Sequence, residues 1–475
     1  MAACNKNFSS SYMLLEPHDV GFFDLIHILF SNNLEHRKFV DSSDDKEYDF
    51  QRRWLIFLSI VVQKLLQFVS KPMAVIGWAI EMFLNFLSLN VCSLRGLLLN
   101  LSQGKISIPD NTSGTYLSFI GHLDKRVRLD SRIKPGDCRY NAALSMMASK
   151  LSYENHACIK TTVEDHWKME FVGFYDFWNE YQGKATTQAF MLRDRSSDDH
   201  DTIVVAFRGT EPFDADAWCS DFDISWYELE GGVNGRIHGG FMKALGLQKN
   251  VGWPKNIDQD DKHPLAYYAI RDMLKKLLSE NDKARYVITG HSLGGALAIL
   301  FPAILALHEE NELLEKMEGV YTFGQPRVGD KEFGQYMENE VLTEHNVRYF
   351  RFVYSNDMVP RLPYDDKALM FKHFGTCLYY NRNYEAQILP EEPNKNYFSL
   401  WVQMPMMVNA FYELTRSFTL PRKHGPDYVE GYFFRLFRLT GLLMPGAPAH
   451  CPQDYVNLTR LGPPDVLVSP KPKQQ

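Results

Sequence analysis

The sequence predicts an α/β fold in which a mainly parallel sheet is covered by helices on both faces. Two short apolar runs, 202–207 (TIVVAF) and 286–289 (YVIT), are rich in β-branched residues. Continuous runs of this kind are typical of strands that are buried on both faces. Segments with helical spacing, 264–278 and 293–308, follow the first and the second run. Strands that alternate with helices favour parallel pairing, because each parallel pair needs a crossover connection.

The remaining predicted elements extend this alternation. Helical spacing is found at 139–151, before the first strand. Pro264 stands at the first turn of the helix that precedes the second strand, where its missing N–H leaves no bond unmade. Two further strands are predicted at 320–323 and 347–354. The pattern is that of a soluble α/β domain without internal repeats.

The composition narrows the possible functions. Among 475 residues, 51 are Lys or Arg and 58 are Asp or Glu, which gives a net charge of −7. The chain therefore lacks the basic excess of a nucleic-acid binder. Its seven cysteines form no C-x-x-C pair, and neither H-E-x-x-H nor a D-x-D-x-D-G loop occurs. We expect no metal, no cofactor, no nucleic-acid partner and a reducing, cytosol-facing environment; nothing in the sequence indicates an oligomeric state.

The chain divides by composition into three parts: an N-terminal region at 1–130, the α/β domain at 131–462 and a flexible Pro- and Lys-rich tail at 463–475. The N-terminal region contains a hydrophobic segment, 54–101, which Lys71-Pro72 interrupts. Neither piece supplies the roughly 20 uninterrupted apolar residues of a spanning helix. We therefore predict two helical pieces that meet at an angle and enter a membrane or lipid monolayer. A pair of helices buried in the protein is the alternative.

The strongest motif lies between a predicted strand and the helix after it. Gly290-His291-Ser292-Leu293-Gly294 fits G-x-S-x-G, in which two glycines permit a tight turn that exposes the serine oxygen. The N-terminus of the following helix then lies beneath the oxyanion that forms on attack. We predict that Ser292 is a catalytic nucleophile and that Gly290 and Gly294 form its elbow.

A serine nucleophile needs a histidine that accepts its proton and an acid that orients the histidine. In one common chain order the acid and then the base follow the serine. Asp357 comes just after the strand predicted at 347–354, on the sheet edge where the elbow lies. Asp365 and Asp366, on a polar loop, are weaker candidates for the acid.

Three histidines follow Asp357 and are candidates for the base. His373 lies in an apolar stretch (MFKHFGTCLYY), His424 lies in a loop flanked by Pro and Gly, and His450 follows the loop MPGAPA. We favour His450, with His424 and His373 as alternatives.

Five motifs occur in a fixed order: FRGT (207–210), IHGGF (237–241), GHSLGGALA (290–298), TFGQPRVGD (322–330) and SNDMVPRLP (355–363). In these motifs the chain resembles the class 3 lipases, which are fungal-lipase-like α/β-hydrolases. The similarity spans about residues 136–460. The hydrophobic N-terminal region and the C-terminal AHCPQDYVNLTRLG resemble, more narrowly, the oil-body triacylglycerol lipases of plants.

The resemblance implies an α/β-hydrolase fold with Ser292 as nucleophile, Asp357 as acid and His450 as base. His373 corresponds to a family histidine that is not the base. A hydroxyl residue after FRG lends its backbone N–H to the oxyanion hole in this family, which assigns that role to Thr210, with the N–H of Leu293 as second donor. An insertion at about 385–445 departs from the compact fungal pattern.

Residues 211–226 (EPFDADAWCSDFDISW) occupy the position of the family's lid. Such a stretch of acidic and aromatic residues can shield an apolar cleft in water and turn its aromatic face to lipid. The alternative is a surface loop packed by its aromatic residues.

The expected function is triacylglycerol hydrolysis at the cytosol-facing surface of a lipid droplet (oil body), with triacylglycerol or a related acyl lipid as substrate. Phospholipid or galactolipid hydrolysis is the main alternative, because the chemistry would be identical. A catalytically silent scaffold would have lost a triad residue, and serine, acid and histidine are all present.

Overall fold

A computed structural model was obtained for the chain. It describes the following residues: 11–31, 39–42, 49–90, 102–197, 200–229, 235–249, 251–257, 262–363, 371–394, 397, 400–425, 428–463 and 465–468. The weaker acid candidates Asp365 and Asp366, the end of the hydrophobic segment at 91–101 and most of the tail lie outside these residues.

The centre of the fold is an eight-stranded sheet in the order β12-β11-β10-β9-β8-β5-β4-β3. Its strands are β3 (Glu170–Asn179), β4 (Lys184–Ser197), β5 (His200–Phe207), β8 (Arg285–His291), β9 (Met317–Phe323), β10 (Arg348–Tyr354), β11 (Thr376–Tyr380) and β12 (Ala386–Leu389). The five strands from β11 to β5 are mutually parallel, and the outer pairs are antiparallel. The predicted, mainly parallel sheet is confirmed.

Strand β5 shows why an unbroken apolar run predicts a central strand. Ile203 and Val205 pack into the hydrophobic core on one face of the sheet, and Val204 and Ala206 pack into the core on the other. Because successive side chains point to opposite faces, a strand between two helical layers needs apolar residues at every position.

Helices cover both faces of the sheet. The described helices after residue 102 are α3 (Phe119–Leu123), α4 (Tyr140–Leu151), α5 (His156–Thr161), α6 (Ala215–Phe222), α7 (Gly239–Leu245), α8 (Ala266–Ser279), α9 (Leu293–Leu307), α10 (Asn311–Lys316), α11 (Lys331–Tyr336), α12 (Leu400–Arg416), α13 (Leu420–His424), α14 (Tyr432–Phe437), α15 (Pro452–Leu461) and α16 (Asp465–Val468). Helix α9, predicted with an interruption at Pro302, continues through this proline. The predicted insertion contributes α12, α13 and α14.

The N-terminal region is joined to the catalytic region by a second sheet. Strands β1 (Tyr12–Leu15), β2 (Val40–Ser42), β6 (Trp226–Glu228) and β7 (Arg236–His238) form an antiparallel sheet in the order β2-β1-β6-β7. The pairing of β1 with β6 connects the start of the chain to the segment that follows α6. Helix α1 (Phe22–Phe30) lies between β1 and β2 in the chain.

The hydrophobic segment forms one helix, α2 (Phe50–Asn90), which runs through Pro72. The prediction of two pieces that meet at an angle was wrong. A proline removes one backbone hydrogen bond and crowds the preceding turn. In a helix of 41 residues this local loss is small, because the turns and the packing on both sides of the proline remain. In the described part of the chain, α2 is the one helix whose length and composition would allow it to cross a membrane.

Helix α2 buries several of its polar side chains and exposes most of its large apolar ones, apart from Ile56 and Ile60, which are buried. Ser59 donates a hydrogen bond to the carbonyl of Phe222 (2.7 Å), Asn85 donates to the carbonyl of Leu117 (2.8 Å), and Asn90 donates to the carbonyl of Ser107 (2.8 Å). The exposed large side chains of α2 are Phe50, Trp54, Leu58, Leu65, Phe68, Val75, Ile76, Trp78, Phe83 and Leu89. This distribution is the reverse of a water-facing surface helix.

Candidate active site

The predicted elbow is a tight turn between β8 and α9. Ser292 has φ 58° and ψ −129°, a conformation that L-residues adopt only under constraint. A Cβ at Gly290 would lie 2.1 Å from the backbone of Gly294, and a Cβ at Gly294 would lie 2.3 Å from the carbonyl oxygen of Phe207. Only glycine fits at either position, so the motif follows from close backbone packing around the serine.

Three side chains from distant parts of the chain form one hydrogen-bonded row. His450 Nε2 lies 2.9 Å from Ser292 Oγ, and His450 Nδ1 lies 2.9 and 3.0 Å from the carboxylate oxygens of Asp357. Asp357 follows β10, and His450 ends a short 3₁₀ turn (Pro448–His450) before α15. This is the geometry in which a histidine accepts a serine proton while a buried carboxylate fixes its tautomer.

Two further groups hold the Asp357 carboxylate. Tyr455 Oη donates to Oδ2 (2.5 Å), and the backbone N–H of Val359 donates to Oδ1 (2.9 Å). Asp357 is fully buried. With Tyr455 on one oxygen and the backbone on the other, the carboxylate keeps one orientation towards His450.

His291, the variable residue of the elbow motif, contacts the backbone of the candidate base. Its Nε2 lies 2.7 Å from the carbonyl oxygen of His450, and its Nδ1 lies 2.8 Å from the hydroxyl of Tyr153. Burial and the nearby His450 hold the pKa of His291 well below its ordinary value, so its ring is neutral. A neutral ring with its proton on Nε2 donates to His450 and accepts from Tyr153.

The other candidate bases lie in different surroundings. His373 is buried, with Nε2 2.6 Å from the carbonyl oxygen of Pro360 and 3.8 Å from Glu392. Burial holds the pKa of His373 well below its ordinary value. His424 ends α13 inside the insertion. His450 is the histidine whose ring contacts Ser292.

The predicted oxyanion residues follow two structural elements that meet near the elbow. Thr210 follows β5, which pairs with β8, and Leu293 is the first residue of α9. The hydroxyl of Thr210 donates to Asp221 Oδ2 (2.7 Å) on α6, within the predicted lid. Burial raises the pKa of Asp221 to about 7. Asp221 was missed in the sequence, where it is one of several acidic residues in a mixed segment.

Helix α2 lies against the predicted lid. Ser59 donates to the carbonyl of the last residue of α6. Phe213 packs closely on Gly77, since a Cβ on Gly77 would lie 2.6 Å from the Cβ of Phe213. A cavity of about 320 Å³ separates α2 from the loop that carries Thr210, with Arg208 and Glu211 in its lining. Ser292 itself is buried.

A buried ionic network ties the insertion to the helix after His450. Arg438 donates to Asp454 (2.9 and 3.1 Å), to Glu430 (2.7 and 2.9 Å) and to Glu413 on α12 (3.3 Å). Tyr384 donates to Asp454 as well (2.6 Å). These partners lie up to 70 residues apart in the chain, so no local sequence pattern predicts them.

Among the residues that the structure describes, no group of three or more His, Cys, Asp or Glu side chains is placed to hold a metal ion. A Ser–His–Asp row whose serine lies on a tight strand-to-helix turn is the geometry of a serine hydrolase of the α/β-hydrolase fold.

Comparison with known proteins identifies the family. The family model "Lipase (class 3)" matches residues 204–367. The chain is 42% identical to a triacylglycerol lipase OBL1 of Arabidopsis thaliana, over 98% of this chain and 97% of that protein. It is 36% identical to a triacylglycerol lipase OBL1 of Ricinus communis, over 97% of each. The chain therefore belongs to the class 3 lipase family.

Solved structures of fungal lipases are similar over about half of the chain. A lipase from Rhizopus microsporus var. chinensis is 20% identical, with a TM-score of 0.37, over 52% of this chain and 75% of that one. A Rhizomucor miehei triacylglyceride lipase is 22% identical, with a TM-score of 0.35, over 51% of this chain and 79% of that one.

Proposed function

We propose that the protein is a triacylglycerol lipase that hydrolyses storage lipid at the oil-body surface through an acyl-enzyme on Ser292. The observation that carries the proposal is the row Ser292–His450–Asp357, with 2.9 Å between Ser292 Oγ and His450 Nε2. The names of the full-length plant relatives support the substrate.

In the first half of the reaction, Ser292 Oγ attacks the ester carbonyl carbon while His450 Nε2 takes its proton. The carbonyl oxygen becomes an oxyanion that accepts hydrogen bonds from the backbone N–H groups of Thr210 and Leu293. When the C–O bond to the glycerol breaks, His450 returns the proton to the departing alcohol oxygen. The products are a diacylglycerol and an acyl group esterified to Ser292.

In the second half, water replaces the alcohol. His450 takes a proton from the water as its oxygen attacks the acyl carbon, and the second oxyanion uses the same two N–H groups. Collapse releases a fatty acid, and His450 returns the proton to Ser292 Oγ. Asp357 remains ionised throughout and stabilises the imidazolium of His450.

The position at the oil-body surface rests on α2. In water its exposed apolar side chains would cost roughly 25 cal/mol per Å² of apolar surface. A lipid monolayer removes this cost while the polar face of the helix stays on the protein. We assign residues 1–130 to anchoring, 131–462 to catalysis and 463–475 to a flexible tail, with the catalytic part on the cytosolic side and residues 211–226 acting as the lid.

The test compares emulsified triolein, phospholipid and galactolipid at equal interfacial area. We expect triolein to be hydrolysed fastest, and Ser292→Ala to lose at least about 10³-fold in kcat. Ser279→Ala, at the exposed end of α8, is the matched control with unchanged turnover.

Faster hydrolysis of either polar lipid would assign the enzyme to that substrate instead. Normal turnover by a folded Ser292→Ala protein would exclude the acyl-enzyme.

A further inference from the structure

The described insertion contains a second helix whose polar side is buried. On α12, the inward face carries Met406, Ala410, Glu413 and Arg416, all buried. Glu413 accepts hydrogen bonds from Ser355 Oγ (2.8 Å) and from Arg438 (3.3 Å). The charges of this helix therefore lie inside the protein.

The outward face of α12 is apolar. Trp401, Met404, Val408 and Phe411 are 91, 65, 64 and 58% exposed. Their spacing of three, four and three residues places them in one row, which we call the outer stripe. A soluble surface helix has its apolar residues inside and its charges outside, so the outer stripe indicates an apolar medium or partner.

Exposed apolar residues are also found between α12 and the catalytic histidine. The 3₁₀ turn Arg438–Leu442 packs on α12, where Gly441 lies against Ala410 and Pro448. The chain that leaves this turn exposes Leu443 and Met444, six residues before His450.

The same region also reaches α2. Helix α14, just before the turn, packs Phe433 and Phe437 around Phe119, and Ile80 and Leu84 of α2 belong to the same cluster. Helix α2 and the insertion therefore pack into one hydrophobic cluster, which joins the two parts of the molecule that expose apolar surface.

The exposed charged residues of α12 and of α13, the helix that follows it, are both basic. They are Arg422 and Lys423, whereas Glu413 and Arg416 of α12 are buried. An apolar helix face combined with basic side chains is the pattern of an interfacial helix on anionic head groups. A phospholipid-coated lipid surface matches both the outer stripe and these two charges.

We propose that the outer stripe of α12, with Leu443 and Met444, is a second lipid-contact surface. It would hold the entrance of the active site against the droplet. The proposal rests on the proposed lipase function. Anchoring by α2 alone fixes one side of the molecule; contact at α12 adds a second point, next to the loop that carries His450.

The direct test places an environment-sensitive fluorophore on the outer stripe of the full-length protein. Met404→Cys is labelled in a Cys138→Ser background, and triolein droplets coated with phosphatidylcholine and phosphatidylserine are added. We expect a blue shift for Met404→Cys and none for Val251→Cys, a control that is 54% exposed and lies outside the anchoring region. The unmodified background protein supplies the signal of the other cysteines.

A functional arm uses the triple variant Met404→Gln, Val408→Gln and Phe411→Gln. We expect unchanged hydrolysis of soluble p-nitrophenyl butyrate, and about tenfold less triolein hydrolysis per droplet-bound enzyme. Arg422→Gln with Lys423→Gln should reduce the difference between droplets with and without phosphatidylserine. Val251→Gln is the control for an exposed apolar residue elsewhere.

The outcomes separate the two proposals. If the wild-type protein hydrolyses neither soluble ester nor triolein, the lipase function fails. If it hydrolyses both, but Met404→Cys gives no shift and the triple variant works normally on droplets, the lipid-contact proposal alone is wrong. If the triple variant instead converts a dimer to a monomer without loss on droplets, the outer stripe is an interface between two copies.

Discussion

Asp221 carries a buried carboxyl group whose ionisation opposes folding, and Asp221→Asn should therefore stabilise the protein at neutral pH. Burial raises the pKa of this carboxyl from 3.8 to about 7. Between these values the folded protein holds a proton that the unfolded chain releases, so the free energy of unfolding falls as the pH rises. At about 1.36 kcal/mol per pKa unit, the full effect is about 4 kcal/mol.

The Asn side chain removes the charge and keeps an oxygen that can accept from Thr210. We expect the variant to match the wild type in stability at pH about 4, to gain with rising pH, and to be more stable by about 4 kcal/mol above pH about 7. Urea unfolding followed by tryptophan fluorescence across this range measures the difference.

Asp282→Asn, at a fully exposed position, is the control and should leave stability unchanged at every pH. A stability difference between Asp221→Asn and wild type that does not vary with pH would refute the reasoning, as would no difference at pH about 8.

Three further predictions concern the candidate site. Tyr455→Phe removes a hydrogen bond to the Asp357 carboxylate, and kcat for p-nitrophenyl butyrate should fall about tenfold or more, with unfolding by urea little changed; an unchanged kcat would mean that Val359 suffices. Arg438→Met leaves Asp454 and its neighbours buried without their cation, and should cost about 3–5 kcal/mol in urea unfolding; a loss below about 1 kcal/mol would contradict the network. His373→Gln should retain esterase activity. Loss of activity in a folded His373→Gln protein would indicate that His373, and not His450, is the base.

The sequence predicts those parts of the fold that depend on local pattern. The runs TIVVAF and YVIT predict central strands because a strand between two helical layers must be apolar at every position. The elbow is predictable because backbone contacts within and beside the motif leave room only for glycine at positions 290 and 294. The sequence also predicts Asp357 and His450, and the structure places both in one hydrogen-bonded row with Ser292.

The sequence does not predict features that depend on partners far along the chain. The pKa of Asp221 is raised by burial, which depends on how α6 packs in the folded chain, and the hydrogen bond from Thr210 opposes the rise. Arg438 acquires its role from acids on three other segments. For Pro72, the local rule predicts a break, and the helix continues because its packing extends on both sides of the proline.

The sequence also does not predict which side of α2 or of α12 faces the protein. An apolar helix with scattered polar residues does not reveal which side faces the protein until the partners of Ser59, Asn85 and Glu413 are known. In both helices the burial of polar groups leaves the apolar side exposed, and this is the feature that supports action at a lipid surface.

The acyl-enzyme on Ser292 is tested most directly by an alkyl p-nitrophenyl phosphonate, followed by peptide mass mapping. Such a reagent leaves a stable phosphonyl group on the nucleophile that attacks it. The account predicts one adduct, on Ser292, which forms at the rate at which triolein hydrolysis is lost. An adduct on another residue, or full triolein hydrolysis by the modified protein, would contradict it.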